Sequence, residues 1–230
     1  MSVNIAISVE GQTEESFIKQ ILMPYLLTKN IYVEPIIVKT KKMANHSFKG
    51  GTISFDKAIK DISRLITAKY DLVTTFYDYY GLHEDFIPKH NLTNSYDIVE
   101  LIEEKMSTHI NNEKFIPYIQ LHEFETFLFV ESNTTINNLM DCRKNIVEQT
   151  INKALQQANN NPELVNNSPA TAPSKRILKA YSSYQKITDG TNVCRDLGIQ
   201  KIREHCQHFD SWIRTIIKRS EEILLNKIPN

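Results

Sequence analysis

Ser2-Val3-Asn4-Ile5-Ala6-Ile7-Ser8-Val9-Glu10-Gly11-Gln12-Thr13-Glu14 is the stretch on which the fold turns. Residues 2–9 form a short β-branched run that barely alternates between polar and apolar, as a strand covered on both faces does. Glu10-Gly11-Gln12 reads as a turn. Thr13 stands where a helix N-cap belongs, with Glu14 and Glu15 in the first turn, where negative charge suits the helix dipole. Phe17, Ile18, Ile21, Leu22 and Tyr25 then recur at helical spacing, which carries the helix to about Leu27.

Working outward, the alternation continues. Residues 31–38 read as a second strand. Residues 39–52 read as a loop holding Lys39, Lys41, Lys42, His46 and Lys49 and ending in Gly50-Gly51. Ser54 caps a helix carrying Phe55, Ala58, Ile59, Ile62, Leu65 and Ile66. A third strand over 72–77 runs directly into Asp78-Tyr79-Tyr80-Gly81. A helix with Ile98, Leu101, Ile102 and Met106 follows, then a fourth strand over 115–121 that ends at His122-Glu123-Phe124-Glu125. Buried strands alternating with helices imply an α/β fold, a mainly parallel sheet flanked by helices on both faces. After Glu131 the pattern changes: 134–158 is helical, 159–173 is a polar loop, and 200–206 and 210–225 are helical. The expected division is an α/β core over 1–131 with a helical C-terminal region over 132–230 packed on it.

Composition narrows the function classes. Of 230 residues, 27 are basic and 27 acidic, so the net charge is zero and any polyanion-binding surface must be a local patch. Cys142, Cys194 and Cys206 are too few, and lack the CxxC spacing, for a disulfide framework or zinc ribbon. The N-terminus has no basic segment before a long apolar run, and no stretch reaches the ~20 apolar residues that span a bilayer. The expectation is no membrane contact and a cytoplasmic location.

The chemistry gathers at the strand ends. In open parallel sheets, ligands bind beyond the carboxyl ends of the strands. The first strand ends at Glu10, with Glu14 one helical turn further on. The third ends at Asp78, and the fourth at Glu123 and Glu125. Singly, Glu14 reads as a first-turn acid, Asp78 as a turn former and Glu125 as a solvated helix start. Together they offer the carboxylate oxygens that a hard cation such as Mg²⁺ prefers, and such an ion activates water and stabilises phosphoryl displacement. One glycine after the first strand, with no Lys-Ser/Thr behind it, argues against a nucleotide-binding loop.

Four motifs also carry a resemblance. Val9-Glu10-Gly11-Gln12-Thr13-Glu14, Thr74 through Gly81, Ile119-Gln120-Leu121-His122-Glu123-Phe124-Glu125, and Ala172-Pro173-Ser174-Lys175-Arg176 with Tyr184-Gln185-Lys186 look like the DUF4276 family. That family is similar to Toprim-fold proteins, the metal-binding domain of topoisomerases, primases and OLD-type nucleases. The resemblance implies a compact Rossmann-like Toprim core in which a Glu after the first strand does acid/base work or binds metal, and an Asp-x-Asp after a later strand binds Mg²⁺ (or Mn²⁺). Glu10 and the first Asp, Asp78, match. Tyr80 replaces the second Asp, and Glu123 or Glu125 is left to restore the carboxylate. The resemblance further implies an ABC- or AAA-type ATPase partner in anti-phage defence.

Four further features have two readings each. Ser174 would cap a helix whose first amides, with Lys175 and Arg176 and with Lys186 as a helper, bind phosphate; the same residues also describe a solvated helix start. His122 is a proton shuttle if its pKa is near neutral, or a packed residue. Tyr79 and Tyr80 stack on bases or pack at the sheet edge. Ile213, Ile216, Ile217 and Leu224 are a core stripe or an interface for an ATPase or a second copy. The leading expectation is a Mg²⁺-dependent nuclease or phosphodiesterase acting on DNA or RNA, with Glu10, Asp78 and His122 catalytic and Glu10, Glu14, Asp78, Glu123 and Glu125 around the metal. The alternatives are a non-catalytic partner module of an ATPase and a small-molecule phosphate-transfer enzyme.

Overall fold

The computed structural model describes residues 2–38, 53–139, 144–166 and 171–227. The lysine-rich loop over 39–52 and Cys142 lie outside them. β1 (Val3–Val9) pairs in parallel with β2 (Ile31–Ile37) on one side and β3 (Leu72–Asp78) on the other. β3 pairs in parallel with β4 (Phe115–Ile116) and β5 (Ile119–Gln120). The sheet order is β2-β1-β3-β4, with β5 also on β3. The mainly parallel sheet expected from the sequence is therefore present. Val9 lies opposite Phe76, and Asp78 opposite Gln120, so the strands end nearly level and their C-terminal residues share one edge.

The fourth strand departs from the sequence reading, which made it continuous over 115–121. Pro117 has no N–H to give to a ladder, and it separates β4 from β5. The Thr75 hydroxyl takes over at the gap: it accepts from Tyr118 N at 2.9 Å and donates to Tyr118 O at 2.8 Å.

The first helix also differs in detail. Its N-cap is Gly11, in extended backbone, and Thr13 is buried within the first turn. α1 (Gln12–Phe17) passes through a π turn (Ile18–Leu22) into α2 (Met23–Leu27). The wide turn stands just before Pro24, whose ring would clash with the carbonyl four residues back in a regular helix.

Each face of the sheet has its own core. On one, Ala6, Val73 and Tyr77 pack against α3 (Phe55–Thr67) and α4 (Ser95–Ile110). On the other, Val3, Ile5, Ile7, Val9 and Phe76 pack against α1, α2 and the C-terminal helices. Those helices are α5 (Ser132–Asn138), α6 (Lys144–Gln157), α7 (Pro173–Ala180), α8 (Lys186–Leu197), α9 (Ile199–His205) and α10 (Gln207–Asn226). The helix expected over 134–158 is two helices, with extended backbone at Leu139.

The C-terminal helices thus supply much of one layer of an α/β/α sandwich. Trp212 of α10 stacks on Tyr118 at 4.3 Å between ring centroids, and its indole N–H donates to Thr74 Oγ1 at 2.8 Å. Ile213 and Ile216 are fully buried, with Ile217 and Leu224 packed beside them, so that stripe is core. Cys194 and Cys206 are buried free thiols. Among the described residues, no helix is long and apolar enough to cross a membrane.

Candidate functional site

The level strand ends bring the acids together. Glu10 follows β1, and its Oε1 accepts the backbone N–H of Asp78, the last residue of β3, at 3.0 Å. A Cβ on Gly81 would sit 2.5 Å from Glu10 Oε2, so this glycine is what leaves room for the carboxylate. Glu14 is buried in the first turn of α1. Glu125, 1% exposed, comes from a 3₁₀ turn over Phe124–Phe129. His122 sets up that turn: its backbone is left-handed, with φ 62°, and bends the chain away from β5.

Among the described residues, one cation faces this group. Lys186, the first residue of α8, places Nζ 3.3 Å from Asp78 Oδ2, 3.3 Å from Glu125 Oε2 and 4.0 Å from Glu14 Oε1. A lysine in a first helical turn opposes the helix dipole, so its anchorage comes from the acids. α8 reaches them by lying against α1, with Thr191 Oγ1 bonded to Ser16 Oγ at 3.3 Å.

Burial dominates the electrostatics. It pushes the Glu10 carboxyl up to about 8, helped by the charge of Glu14 and opposed by Lys186 and the Asp78 N–H. It holds Asp78 well above the usual carboxylate range and raises Glu125, in both cases against the pull of Lys186. Burial alone would lower Lys186; Asp78, Glu125 and Glu14 outweigh it and hold the ammonium above the ordinary lysine range. Asp78 Oδ1 is buried with no hydrogen-bond partner. Among the described residues, no three Asp, Glu, His or Cys side chains converge as a ready metal cage.

The other residues singled out from the sequence are placed differently. Glu123 turns to α7, where its Oε2 accepts the Ser174 N–H at 2.9 Å. The N-cap of α7 is Ala172 rather than Ser174, and the helix-start amide expected to receive phosphate is already engaged by Glu123. Lys186, expected beside phosphate, stands among the acids as their counter-ion. Lys175 and Arg176 lie along α7.

His122 is 1% exposed, and burial pushes its pKa down to about 4, so the near-neutral value behind the shuttle reading is not retained. Its ring lies 5.3 Å from that of Tyr80, which also stacks on Tyr79 at 5.4 Å. Burial pushes the Tyr80 hydroxyl up to about 12. The sequence reading missed Gly81, whose only signal was its place three residues after Asp78. It also missed Tyr184, buried at the edge of the centre and held protonated by burial and then by the charge of Glu125.

Fold and site together define a class, a parallel α/β protein with a buried carboxylate centre at the carboxyl edge of its sheet. Within it, the chain belongs to the family described as a domain of unknown function, DUF4276, whose model matches residues 9–217. No curated protein matches the sequence. Two solved structures are similar. One is the C-terminal region of the Burkholderia pseudomallei OLD protein, with a TM-score of 0.44 and 14% identity over 94% of this chain and 99% of that one. The other is the C-terminal region of the Xanthomonas campestris pv. campestris OLD protein, with a TM-score of 0.38 and 18% identity over 96% of each.

Proposed function

We propose that the chain is a Mg²⁺- or Mn²⁺-dependent phosphodiesterase acting on nucleic acid, with Glu10, Glu14, Asp78 and Glu125 holding the cation. The observation that carries this reading is an imbalance: among the described residues, four carboxylates lie at the strand ends and one ammonium faces them. Buried like charges are costly unless a counter-charge neutralises them. The donor chemistry fits a hard divalent ion, being all carboxylate oxygen, and Asp78 Oδ1 is buried without a partner. A bound ion would supply a water of lowered pKa and neutralise charge on the phosphoryl oxygens.

The chain's own residues have distinct parts. The Asp78 N–H and the clearance at Gly81 orient Glu10. A carboxyl with a pKa of about 8 holds or releases a proton near neutrality, which suits a general acid or base. Lys186, whose side chain is 40% exposed, reaches the centre from the solvent side and offers its charge to a phosphate. Tyr80, where a second Asp would stand, packs on Tyr79 and His122.

The test is cleavage of plasmid, single-stranded DNA and tRNA with Mg²⁺ or Mn²⁺. Glu10→Gln and Asp78→Asn should each lose about 10²-fold or more, as expected for removing an acid/base group or a ligand. Equal activity in wild type and both variants overturns the assignment.

A second reading has its own support. Lys186 already stands among the acids, so the centre also suits an ionic anchor in a non-catalytic module serving an ATPase or a second copy. Melting in EDTA and in 5 mM Mg²⁺ separates the two: a rise with Mg²⁺ that Asp78→Asn abolishes supports the metal reading, and no rise supports the module.

A further inference from the structure

We propose that the groove between α6 and α7 is a track for the phosphate backbone of a nucleic-acid strand leading to the acidic centre. This deepens the phosphodiesterase reading and rests on it for the choice of nucleic acid over other polyanions. The groove encloses about 480 Å³ and is lined by Lys153 from α6 and by Lys175, Arg176 and Lys179 from α7, with Ile146 and Thr150 on the α6 side. Among the described residues, no carboxylate lines it.

Among the described residues, its lysines are also without an ion pair. Lys19, Lys186, Lys201 and Lys227 each meet an acid. Among the described residues, no ion pair engages Lys153, Lys175 or Lys179, and all three are exposed. Arg176 is held by its Nε–H, which donates to Thr171 O at 2.7 Å. In a chain of zero net charge, four cations on one groove are a local excess of the kind a phosphate backbone recruits.

Position points the same way. The bond from Ser174 N to Glu123 Oε2 fastens the start of α7 to the turn that carries Glu125. Glu123 and Glu125 are two residues apart, no more than about 7 Å along the chain, and Lys175 directly follows Ser174. Lys175 and Lys179 are one turn apart, about 6 Å along the helix, so the cations extend in a row from the acidic edge. A small phosphate would call for convergent, buried donors. A row of exposed lysines beside the half-exposed Ile146 suits an extended backbone with its sugars.

The experiment measures binding without cleavage. The full chain is titrated in EDTA against a fluorescent single-stranded oligonucleotide, by anisotropy, at 50–200 mM salt. The triple variant K153Q/K175Q/K179Q should bind at least tenfold more weakly. Its slope of log affinity against log salt should be shallower by about 2, since each phosphate contact on a single strand contributes roughly 0.7. Lys→Arg at the same three positions should retain binding, and the Gln variant should melt as wild type does, which removes misfolding as the cause. Unchanged affinity and slope in the Gln variant overturn the track, as does equal loss in the Arg variant or a wild type that does not bind. Binding is read in EDTA and cleavage with Mg²⁺, so a failure of the cleavage reading leaves a different record from a failure of this one.

Discussion

Among the described residues, the acidic strand ends and the α6–α7 groove are two concentrations of like charge, and they are built by opposite means. The acids are assembled from residues 10, 14, 78 and 125, which only the sheet register and two turns bring together. Glu14, Asp78 and Glu125 are buried and Glu10 is half-buried, and their counter-charge arrives from residue 186 on a different layer. The groove cations stand on the flanks of two amphipathic helices and stay in water. Buried charge is held by tertiary structure and strains it. Exposed charge needs only helical spacing and costs almost nothing. Changes at the acids should therefore register in stability, and changes at the groove only in binding.

The most damaging single change for stability should be Lys186→Met. Breaking a fully buried ion pair costs about 3–5 kcal/mol. This ammonium is 40% exposed, and solvent screening brings the expected loss to about 2 kcal/mol, roughly 4–8 °C in melting temperature for a chain of this size. The same variant should gain more from 5 mM Mg²⁺ than wild type does, because the ammonium no longer competes for the carboxylates. A melting curve equal to wild type in EDTA would show that the acids do not depend on this lysine.

A smaller effect is expected from Gly81→Ala. The added methyl must push the Glu10 carboxylate aside, Oε2 at 2.5 Å most of all, which disturbs the bond that Oε1 accepts from the Asp78 N–H. Overpacking of this kind costs about 1 kcal/mol at the low end. Cleavage should fall further than stability does, about tenfold, because the carboxylate is misplaced while the fold remains. Full activity in this variant would show that the position of Glu10 is not critical.

The sheet was legible in the sequence because buried parallel strands are written as continuous β-branched runs, and each run named its own end. Those ends placed Glu10, Asp78, Glu123 and Glu125 at one edge and left Glu123 and Glu125 as alternatives. What stayed hidden depends on contacts across long separations. Nothing near Lys186 announces that it crosses 108 residues of sequence to Asp78. A first-turn lysine and a first-turn serine look alike as phosphate ligands until Glu123 is seen on the Ser174 amide. His122 shows the same limit. Its neighbours in sequence are acids, but its neighbours in space are Tyr79, Tyr80 and Asn166, and burial decides its charge. The interrupted fourth strand was legible after all, since Pro117 is incompatible with an unbroken ladder.

The most sensitive probe of the contrast is the pH dependence of Glu10→Gln. The native pKa of Glu10 is raised to about 8 from an ordinary 4.5, so the folded chain binds this proton more tightly than the unfolded chain. Below pH 4.5 the carboxyl is neutral in both states and adds no strain. Between 4.5 and 8 the unfolded state gains from ionisation while the folded state resists it, so native stability declines as pH rises through this window. Removing the charge should lift that penalty. In EDTA, Glu10→Gln should melt about 2–4 °C above wild type at pH 8.5, the equivalent of about 1 kcal/mol, because neighbouring carboxyls share the proton load. The difference should vanish near pH 4.5. The groove variant K153Q/K175Q/K179Q should follow wild type at both pH values, since its lysines are solvated in the folded and unfolded chain alike. A Glu10→Gln protein destabilised equally at both pH values would mean that the carboxylate acts through shape and hydrogen bonding, and that charge is not what strains the acidic centre.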